Sequence, residues 1–195
     1  MAKRLILVTS PPACGKTFIS QMLAKNLSHV VYLDKDTLIG LSNVIFDVAG
    51  EERNRSSDFF EEKIRNVEYE VVIDLALEAL RYEDNVLINA PFTREIRDSE
   101  YMHSLKKKLA PFKAKLTVVW VETTPEVCRE RMIERNSDRD TWKLANWDEY
   151  IKTRDFSVPH CLKGSASVDD LIIFKNSSTE EFEESMKYAL AYLEK

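Results

Sequence analysis

Short apolar runs alternate along this chain with longer stretches in which apolar residues recur every three or four positions. The runs have strand length and composition and cover residues 5–8, 30–33, 85–89, 115–121 and 171–174. The longer stretches have helical periodicity and cover residues 18–27, 58–84, 99–109, 125 to beyond 135, 147–154 and 179–193. Such alternation predicts an α/β domain built on a parallel sheet.

The longest helical pattern begins after Ser56 and Ser57, which can cap a helix. Its apolar positions have helical spacing, which predicts that they pack on the sheet as core residues: Phe60, Ile64, Val67, Val71, Leu75 and Leu80. The pattern is weaker between residues 37 and 57, where two glycines and a charged run occur. We interpret that segment as a short helix followed by a mobile cap.

Composition limits the class of protein. The 195 residues fit one domain, and 44% hydrophobic residues suffice for a globular core. The net charge of -5 argues against a protein built to grip nucleic acid. No apolar run approaches 18 residues, and the N-terminus leads straight into a strand, so we expect neither a signal peptide nor a membrane span. Three scattered cysteines indicate reduced thiols in a cytoplasmic protein: Cys14, Cys128 and Cys161.

The stretch from Ser10 to Thr17 resembles the phosphate-binding Walker A motif, G-x-x-x-x-G-K-[ST], and lies between a predicted strand and a predicted helix. In such loops the backbone N–H groups and the helix N-terminus surround phosphates. Lys16 then reaches the β- and γ-phosphates, and Thr17 binds Mg²⁺. The predicted nucleotide-binding residues are Pro12, Ala13, Cys14, Gly15, Lys16 and Thr17.

Ser10 stands where the motif has its first glycine. A residue other than glycine is strained at positive φ, so the loop could depart from its usual shape at this position. The alternative is an ordinary turn with Lys16 on the surface. The order of strand, loop and helix favours the phosphate loop.

Acidic and amide residues follow the second and third predicted strands, whose carboxyl ends form the ligand-binding edge of a parallel sheet. Asp34 is predicted to bind metal or act in catalysis, and Asp36 to act in catalysis or bind substrate. Which of the two is the base stays open, and Asp36 could instead cap a helix starting at Thr37. Asn89 lacks a negative charge, so metal binding would fall to Thr17 and Asp34.

Arginines mark two further segments. Arg131, Arg135 and Arg139 are spaced by four, and we predict that this row binds a triphosphate. The alternative is a surface helix with salt bridges to an acidic row formed by Glu126, Glu130 and Glu134. Arg94, after the third strand, is predicted to contact an acceptor or a phosphate. Arg53 and Arg55 could make the same kind of contact, but we interpret them as surface charges.

The chain resembles the phosphate-loop small-molecule kinases: nucleoside-monophosphate, shikimate and gluconate kinases, chloramphenicol phosphotransferase and the kinase half of polynucleotide kinases. The resemblance rests on residues 12–17, on Asp34-Lys-Asp36 and on the arginine row. It implies a three-layer fold with a five-stranded parallel sheet in the order 2-3-1-4-5. It also implies that Arg131 and Arg135 clamp ATP from a lid at residues 136–147, and that Asn176 lies near adenine.

We therefore expect a single-domain, ATP- and Mg²⁺-dependent kinase that transfers the γ-phosphoryl group to a hydroxyl or phosphate of a small molecule. Residues 38–60 would form its acceptor-binding cap. The alternatives are a partner-dependent ATPase or nucleotide switch, a nucleic-acid end kinase, and a binding module without turnover.

Overall fold

Parallel strands form one central sheet in the computed structural model, which describes residues 3–137, 140–162 and 167–195. The five strands are β1 (Arg4–Thr9), β2 (Val30–Asp34), β3 (Asn85–Asn89), β4 (Lys115–Glu122) and β5 (Asp170–Lys175). They are ordered β2-β3-β1-β4-β5, and every pairing is parallel. The predicted fold class and strand order are confirmed.

Helices cover both faces of this sheet. They are α1 (Lys16–Asn26), α2 (Ile39–Ala49), α3 (Arg65–Ala79), α4 (Ser99–Leu109), α5 (Pro125–Arg135), α6 (Thr141–Ala145), α7 (Trp147–Thr153) and α8 (Thr179–Leu193). One core lies between the sheet and α3 and α4, and a second lies between the sheet and α1, α5 and α8. No helix in the described ranges has both the length and the apolarity to cross a bilayer.

Helix α5 begins as its sequence predicts but ends earlier. Pro125 occupies its first position, and the Thr124 hydroxyl accepts a hydrogen bond from the Val127 amide. Asn136 adopts a left-handed conformation with φ of 45° and ends the helix after Arg135. The expectation that the helix continues past Arg135 is wrong, and Arg139 lies outside the described residues. The predicted lid segment contains the short helix α6.

The buried face of α3 differs from the predicted face. Phe60, Ile64 and Leu80 are buried as expected. The expectation is wrong for three residues that are 37% to 52% exposed, which are Val67, Val71 and Leu75. The buried row instead keeps a spacing of four and continues through Glu68, Val72 and Ala76.

A turn of π-helix at Phe60–Ile64 helps to explain how residues spaced by four share one buried face. Four residues exceed the 3.6 of an α-helical turn, so a row with that spacing drifts around a regular helix. The wider π turn offsets part of the drift. The helical segment starts at the predicted Ser57 cap, whose hydroxyl accepts from the Phe60 amide at 3.2 Å. It ends at Ala79, earlier than expected.

Adjacent valines on α3 provide a test of this face. Val72 is 2% exposed and Val71 is 37% exposed. We expect Val72→Ala to lower the free energy of unfolding by about 2 kcal/mol, because it removes two buried methyl groups and leaves a cavity. Val71→Ala should change it by less than about 0.5 kcal/mol. Urea titrations of the two variants measure the difference, and equal losses would contradict the assigned face.

Candidate active site

The loop between β1 and α1 forms its turn without glycine at the first motif position. Ser10 is buried, and the left-handed residues of the loop are Ala13, with φ of 65°, and Gly15, with φ of 88°. Ser10 therefore needs none of the backbone freedom that glycine supplies. Gly15 does need it, and a Cβ atom there would lie 2.5 Å from Nδ2 of Asn176.

Three side chains hold this loop through the carbonyl oxygen of Cys14. It accepts hydrogen bonds from Asn176 Nδ2 at 2.7 Å, Thr123 Oγ1 at 3.1 Å and Arg131 Nη1 at 3.3 Å. Arg131 also donates through Nη2 to the Asn176 carbonyl at 2.8 Å. The loop is thus fixed by residues that follow β4 and β5 and by α5, and both Arg131 and Asn176 lie beside it.

Asn89 joins the phosphate loop to the acidic end of β2. Its Oδ1 accepts from Lys16 Nζ at 2.5 Å, and its Nδ2 donates to Asp34 Oδ2 at 2.8 Å and to Thr17 Oγ1 at 3.3 Å. The register of the strands explains why these side chains lie together. Asn89 of β3 pairs with Asp34 of β2 on one side and with Val8 of β1, just before the loop, on the other. The structure therefore brings together Lys16, Thr17 and Asp34 at the carboxyl edge of the sheet.

Asp34, and not Asp36, caps the short turn that follows β2. Asp34 Oδ1 accepts from the Asp36 amide at 3.0 Å, at the start of a 3₁₀ turn at Lys35–Leu38. Tyr32 donates its hydroxyl to Asp34 Oδ2 at 3.0 Å. Burial, together with the Asp34 charge, raises the pKa of Tyr32 to about 12, so this hydroxyl remains a donor. The Asp36 side chain is 60% exposed and lies 3.3 Å from Lys35 Nζ.

The oxygens near Asn89 are suited to magnesium. The described residues contain no cluster of three or more histidine, cysteine, aspartate or glutamate side chains able to hold a metal. Mg²⁺ commonly binds proteins through one or two carboxylates and completes its shell with phosphate oxygens and water. Asp34 and Thr17 supply one carboxylate and one hydroxyl within reach of the same amide nitrogen. The donor set fits the ion.

A buried carboxylate fastens the predicted cap to the rest of the fold. Glu68 accepts hydrogen bonds from Lys35 at 2.9 Å, Ser42 at 2.5 Å and Arg55 at 2.8 and 2.6 Å. Arg55 also lies over the Phe60 ring, 4.4 Å from its centre. The interpretation of Arg55 as a surface charge is wrong. Arg53, which pairs with Asp47, has an exposed side chain as expected.

Arg94 contacts the helical segment that directly follows the predicted cap. It donates to Glu61 Oε2 at 2.8 Å, and its side chain is 63% exposed. It also borders a cavity of about 350 Å³ between α3 and α4, together with Arg65, Tyr69 and Tyr101. Its predicted contact with an acceptor remains a prediction.

The arginines of α5 separate into different roles. Arg131 contacts the phosphate loop, whereas Arg135 is bound to the buried carboxylate of Asp140, which also accepts from Lys143 at 2.9 Å. Arg129 lies over the Trp147 ring at 5.7 Å. None of the ion pairs among the described residues joins these arginines to the acidic row of α5. The structure therefore brings Arg131, but not Arg135, to the loop.

Sequence reasoning missed several residues of this region. Thr123 and Tyr32 contact the loop and Asp34, and both lie at or near the carboxyl ends of strands, a position that could have identified them. Glu68 could have been found as the charged member of a row of apolar residues spaced by four. Nothing in the sequence pattern marks Cys128, which lies behind the loop.

A match to a known protein family covers most of the chain. A family model described as an AAA domain, AAA_33, matches residues 5–156, which include the phosphate loop, Asp34, Asn89 and Arg131. The chain belongs to this family. No curated protein sequence matches it.

Solved structures that share the fold of this family member include several that are described as kinases. A candidate kinase from Chloroflexus aurantiacus is 22% identical with a TM-score of 0.67, covering 99% of this chain and 97% of its own. A gluconokinase from Sinorhizobium meliloti is 14% identical with a TM-score of 0.54, covering 98% and 93%. A shikimate kinase from Acinetobacter baumannii, bound to shikimate, is 19% identical with a TM-score of 0.51, also covering 98% and 93%. These similarities confirm the resemblance at the level of the fold.

The hydrogen bonds from Lys35, Ser42 and Arg55 to Glu68 predict that the free energy of unfolding depends on pH. Burial alone would raise the pKa of Glu68, but hydrogen bonds from Arg55, Ser42 and Lys35 outweigh it and lower the pKa to about 2. A lowered pKa in the folded state contributes stability that is present above the ordinary value of about 4.3. That contribution is lost as the pH falls from this value towards 2.

We expect Glu68→Gln to lower the free energy of unfolding at pH 7 by roughly 3 kcal/mol, because Lys35 then stays buried with only the largely exposed Asp36 carboxylate as its counter-charge. The difference in the free energy of unfolding between variant and wild type should become smaller below about pH 4.3. Chemical denaturation at several pH values measures this, with the exposed Glu62→Gln as the control. A difference that does not change with pH would contradict the assignment.

Proposed function

We propose that this protein is an ATP- and Mg²⁺-dependent phosphotransferase that moves the γ-phosphoryl group to a hydroxyl or phosphate of a small molecule. One observation carries the proposal. Asn89 holds the ammonium of Lys16, the hydroxyl of Thr17 and the carboxylate of Asp34 around a single amide. An ammonium, a hydroxyl and a carboxylate at one edge of the sheet support the proposal, because phosphoryl transfer needs a nucleotide cradle, a metal site and an acid.

Each residue then has a chemical role. Bound ATP supplies the phosphoryl group, and Mg²⁺ neutralises phosphate charge. Lys16 and the loop amides bind the β- and γ-phosphates, and Thr17 and Asp34 hold the metal. Arg131 stands beside Gly15, where its charge favours the triphosphate. Arg135 ends α5 and is held by Asp140 of the predicted lid segment, so a contact with ATP requires its release from that carboxylate.

Asp36 is the better candidate for the base that accepts the proton of the acceptor hydroxyl. Both carboxylate oxygens of Asp34 already accept hydrogen bonds, from the Asp36 amide and from Asn89 and Tyr32. The Asp36 side chain is 60% exposed, and its Oδ1 lies 3.3 Å from Lys35 Nζ. Residues 38–60 and Arg94 would then orient the acceptor, and Arg94 contacts Glu61, the residue that directly follows this cap.

Substitution of Lys16 tests nucleotide binding. We expect Lys16→Ala to weaken ATP binding in the presence of Mg²⁺ by about 10- to 100-fold, because a charged hydrogen-bond donor to phosphate is lost. Lys25→Ala, an exposed lysine in the last turn of the same helix, should leave the affinity unchanged. Isothermal titration calorimetry measures both, and wild-type affinity in Lys16→Ala would contradict the assigned loop.

Substitution of Asp36 tests the transfer step. Acceptors are first screened with ATP, following both ADP release and a phosphorylated product, across nucleosides, nucleotides, sugars, sugar acids and antibiotics. With the best acceptor, Asp36→Asn should lower turnover by about 10²- to 10⁴-fold and leave the ATP affinity unchanged. The exposed Asp74→Asn is the control. ADP release without a phosphorylated product would instead indicate an ATPase or a nucleotide switch.

Substitution of Asn89 tests the metal site without any acceptor. In Asn89→Asp a carboxylate faces Asp34 and can no longer donate to it, so in EDTA we expect a melting temperature lower by roughly 5 °C. Mg²⁺ should recover most of this loss, because it binds between the two carboxylates. Asn85→Asp, at the opposite end of the same strand, should lose stability without recovery by Mg²⁺. If Mg²⁺ raised the melting temperatures of the two variants equally, the proposed metal site would be wrong.

A further inference from the structure

Two buried thiols meet directly behind the phosphate loop. The Sγ atoms of Cys14 and Cys128 are 3.5 Å apart, and both residues are free cysteines, 1% and 0% exposed. Cys14 belongs to the loop itself, and Cys128 lies in α5 one turn before Arg131. The pair therefore connects the nucleotide-binding loop with the helix that supports it.

The two sulfur atoms are in van der Waals contact without a covalent bond. A disulfide has an S–S length of about 2.05 Å, so the two atoms must approach by about 1.5 Å. Residues 14 and 128 are 114 positions apart in the chain, and only the packing of α5 under the loop brings them together. Neither thiol has a part in the phosphoryl transfer proposed above.

We propose that Cys14 and Cys128 form an oxidation site, which closes into a reversible disulfide and weakens nucleotide binding at the phosphate loop. The oxidant is a peroxide, for which hydrogen peroxide is the probe. The effect on nucleotide binding rests on the proposed function, whereas formation of the disulfide does not.

The reaction balances with one peroxide per pair of thiols. The Cys128 sulfur, as thiolate, attacks one oxygen of hydrogen peroxide, the O–O bond breaks, and the departing hydroxide takes the proton lost by Cys128 to form water. The Cys14 sulfur then attacks the sulfenic sulfur of Cys128. Hydroxide leaves and takes the Cys14 proton as a second water. Both thiols are oxidised and the peroxide is reduced to two molecules of water.

The surroundings of the pair assign the order of these steps. The two thiols share one hydrogen bond, in which either sulfur can be the donor. With Cys14 as the donor, this bond and the charge of Arg131 lower the pKa of Cys128 in spite of its burial, and the same contact and burial raise the pKa of Cys14. We therefore assign the reaction with peroxide to Cys128 and the resolving step to Cys14, and the cross-link itself does not depend on this order.

A disulfide at this place alters the loop because the loop has little room to adjust. The Cys14 carbonyl is held by Asn176, Thr123 and Arg131. Gly15 follows in a left-handed conformation, against the Asn176 side chain. A shift of Cys14 towards α5 moves the amides of Gly15 and Lys16, which must converge on phosphate.

The test treats reduced wild-type protein with hydrogen peroxide. Non-reducing peptide mass spectrometry should find a cross-link between Cys14 and Cys128. Calorimetry should find ATP binding at least tenfold weaker, with full recovery after dithiothreitol. Absence of the cross-link, or a cross-link without loss of ATP affinity, would overturn the proposal.

Variants of the other cysteines provide the controls. Cys128→Ala should bind ATP with the same affinity before and after peroxide treatment. If the alanine variant folds poorly, Cys128→Ser is measured in its place. Cys161→Ala should respond to peroxide as wild type does, and loss of the response there would overturn the assignment. Reduced wild type that binds no ATP would refute the proposed function, and the mass measurement would still decide whether the thiols pair.

Discussion

A single carboxamide, that of Asn89, sets the electrostatic arrangement on which the site depends. It is 2% exposed and stands between an ammonium and a carboxylate, which fixes its orientation, since only the oxygen can accept from Lys16 and only the nitrogen can donate to Asp34. An aspartate at position 89 could accept from Lys16 but could not donate to Asp34, so a metal ion would have to lie between the two carboxylates. The parallel register that places β3 between β1 and β2 is therefore also what aligns the phosphate loop with the acid.

The sheet and the phosphate loop could be predicted because their signals are local. A run of apolar residues, a proline at a helix start and a Gly-Lys-Thr sequence each determine their structure within a few positions. Ser10 showed the limit of motif matching: the doubt concerned its φ angle, yet the loop has its left-handed residues at Ala13 and Gly15. The spacing of the motif mattered more than the identity of its first residue.

The face of α3 and the role of Arg55 were not predicted, and for one shared reason. Periodicity analysis treats a glutamate as polar and therefore exposed, so it passed over Glu68 and assigned Val67 and Val71 to the core. In the fold Glu68 is 4% exposed, because Lys35, Ser42 and Arg55 satisfy its oxygens. Partners so distant in sequence leave no periodic signal, and the same holds for the meeting of Cys128 with Cys14.

The Glu68 attachment also constrains how this protein can be modified. Its three donors come from separate segments, which are the turn after β2, helix α2 and the loop before α3. A graft that replaces residues 38–60, the proposed acceptor-binding cap, must keep Ser42 and Arg55 in place, or it leaves a buried carboxylate with Lys35 as its remaining partner. This segment is thus not an independent module, and its exposed side chains can be changed with a smaller loss of stability than exchange of the whole segment would cause.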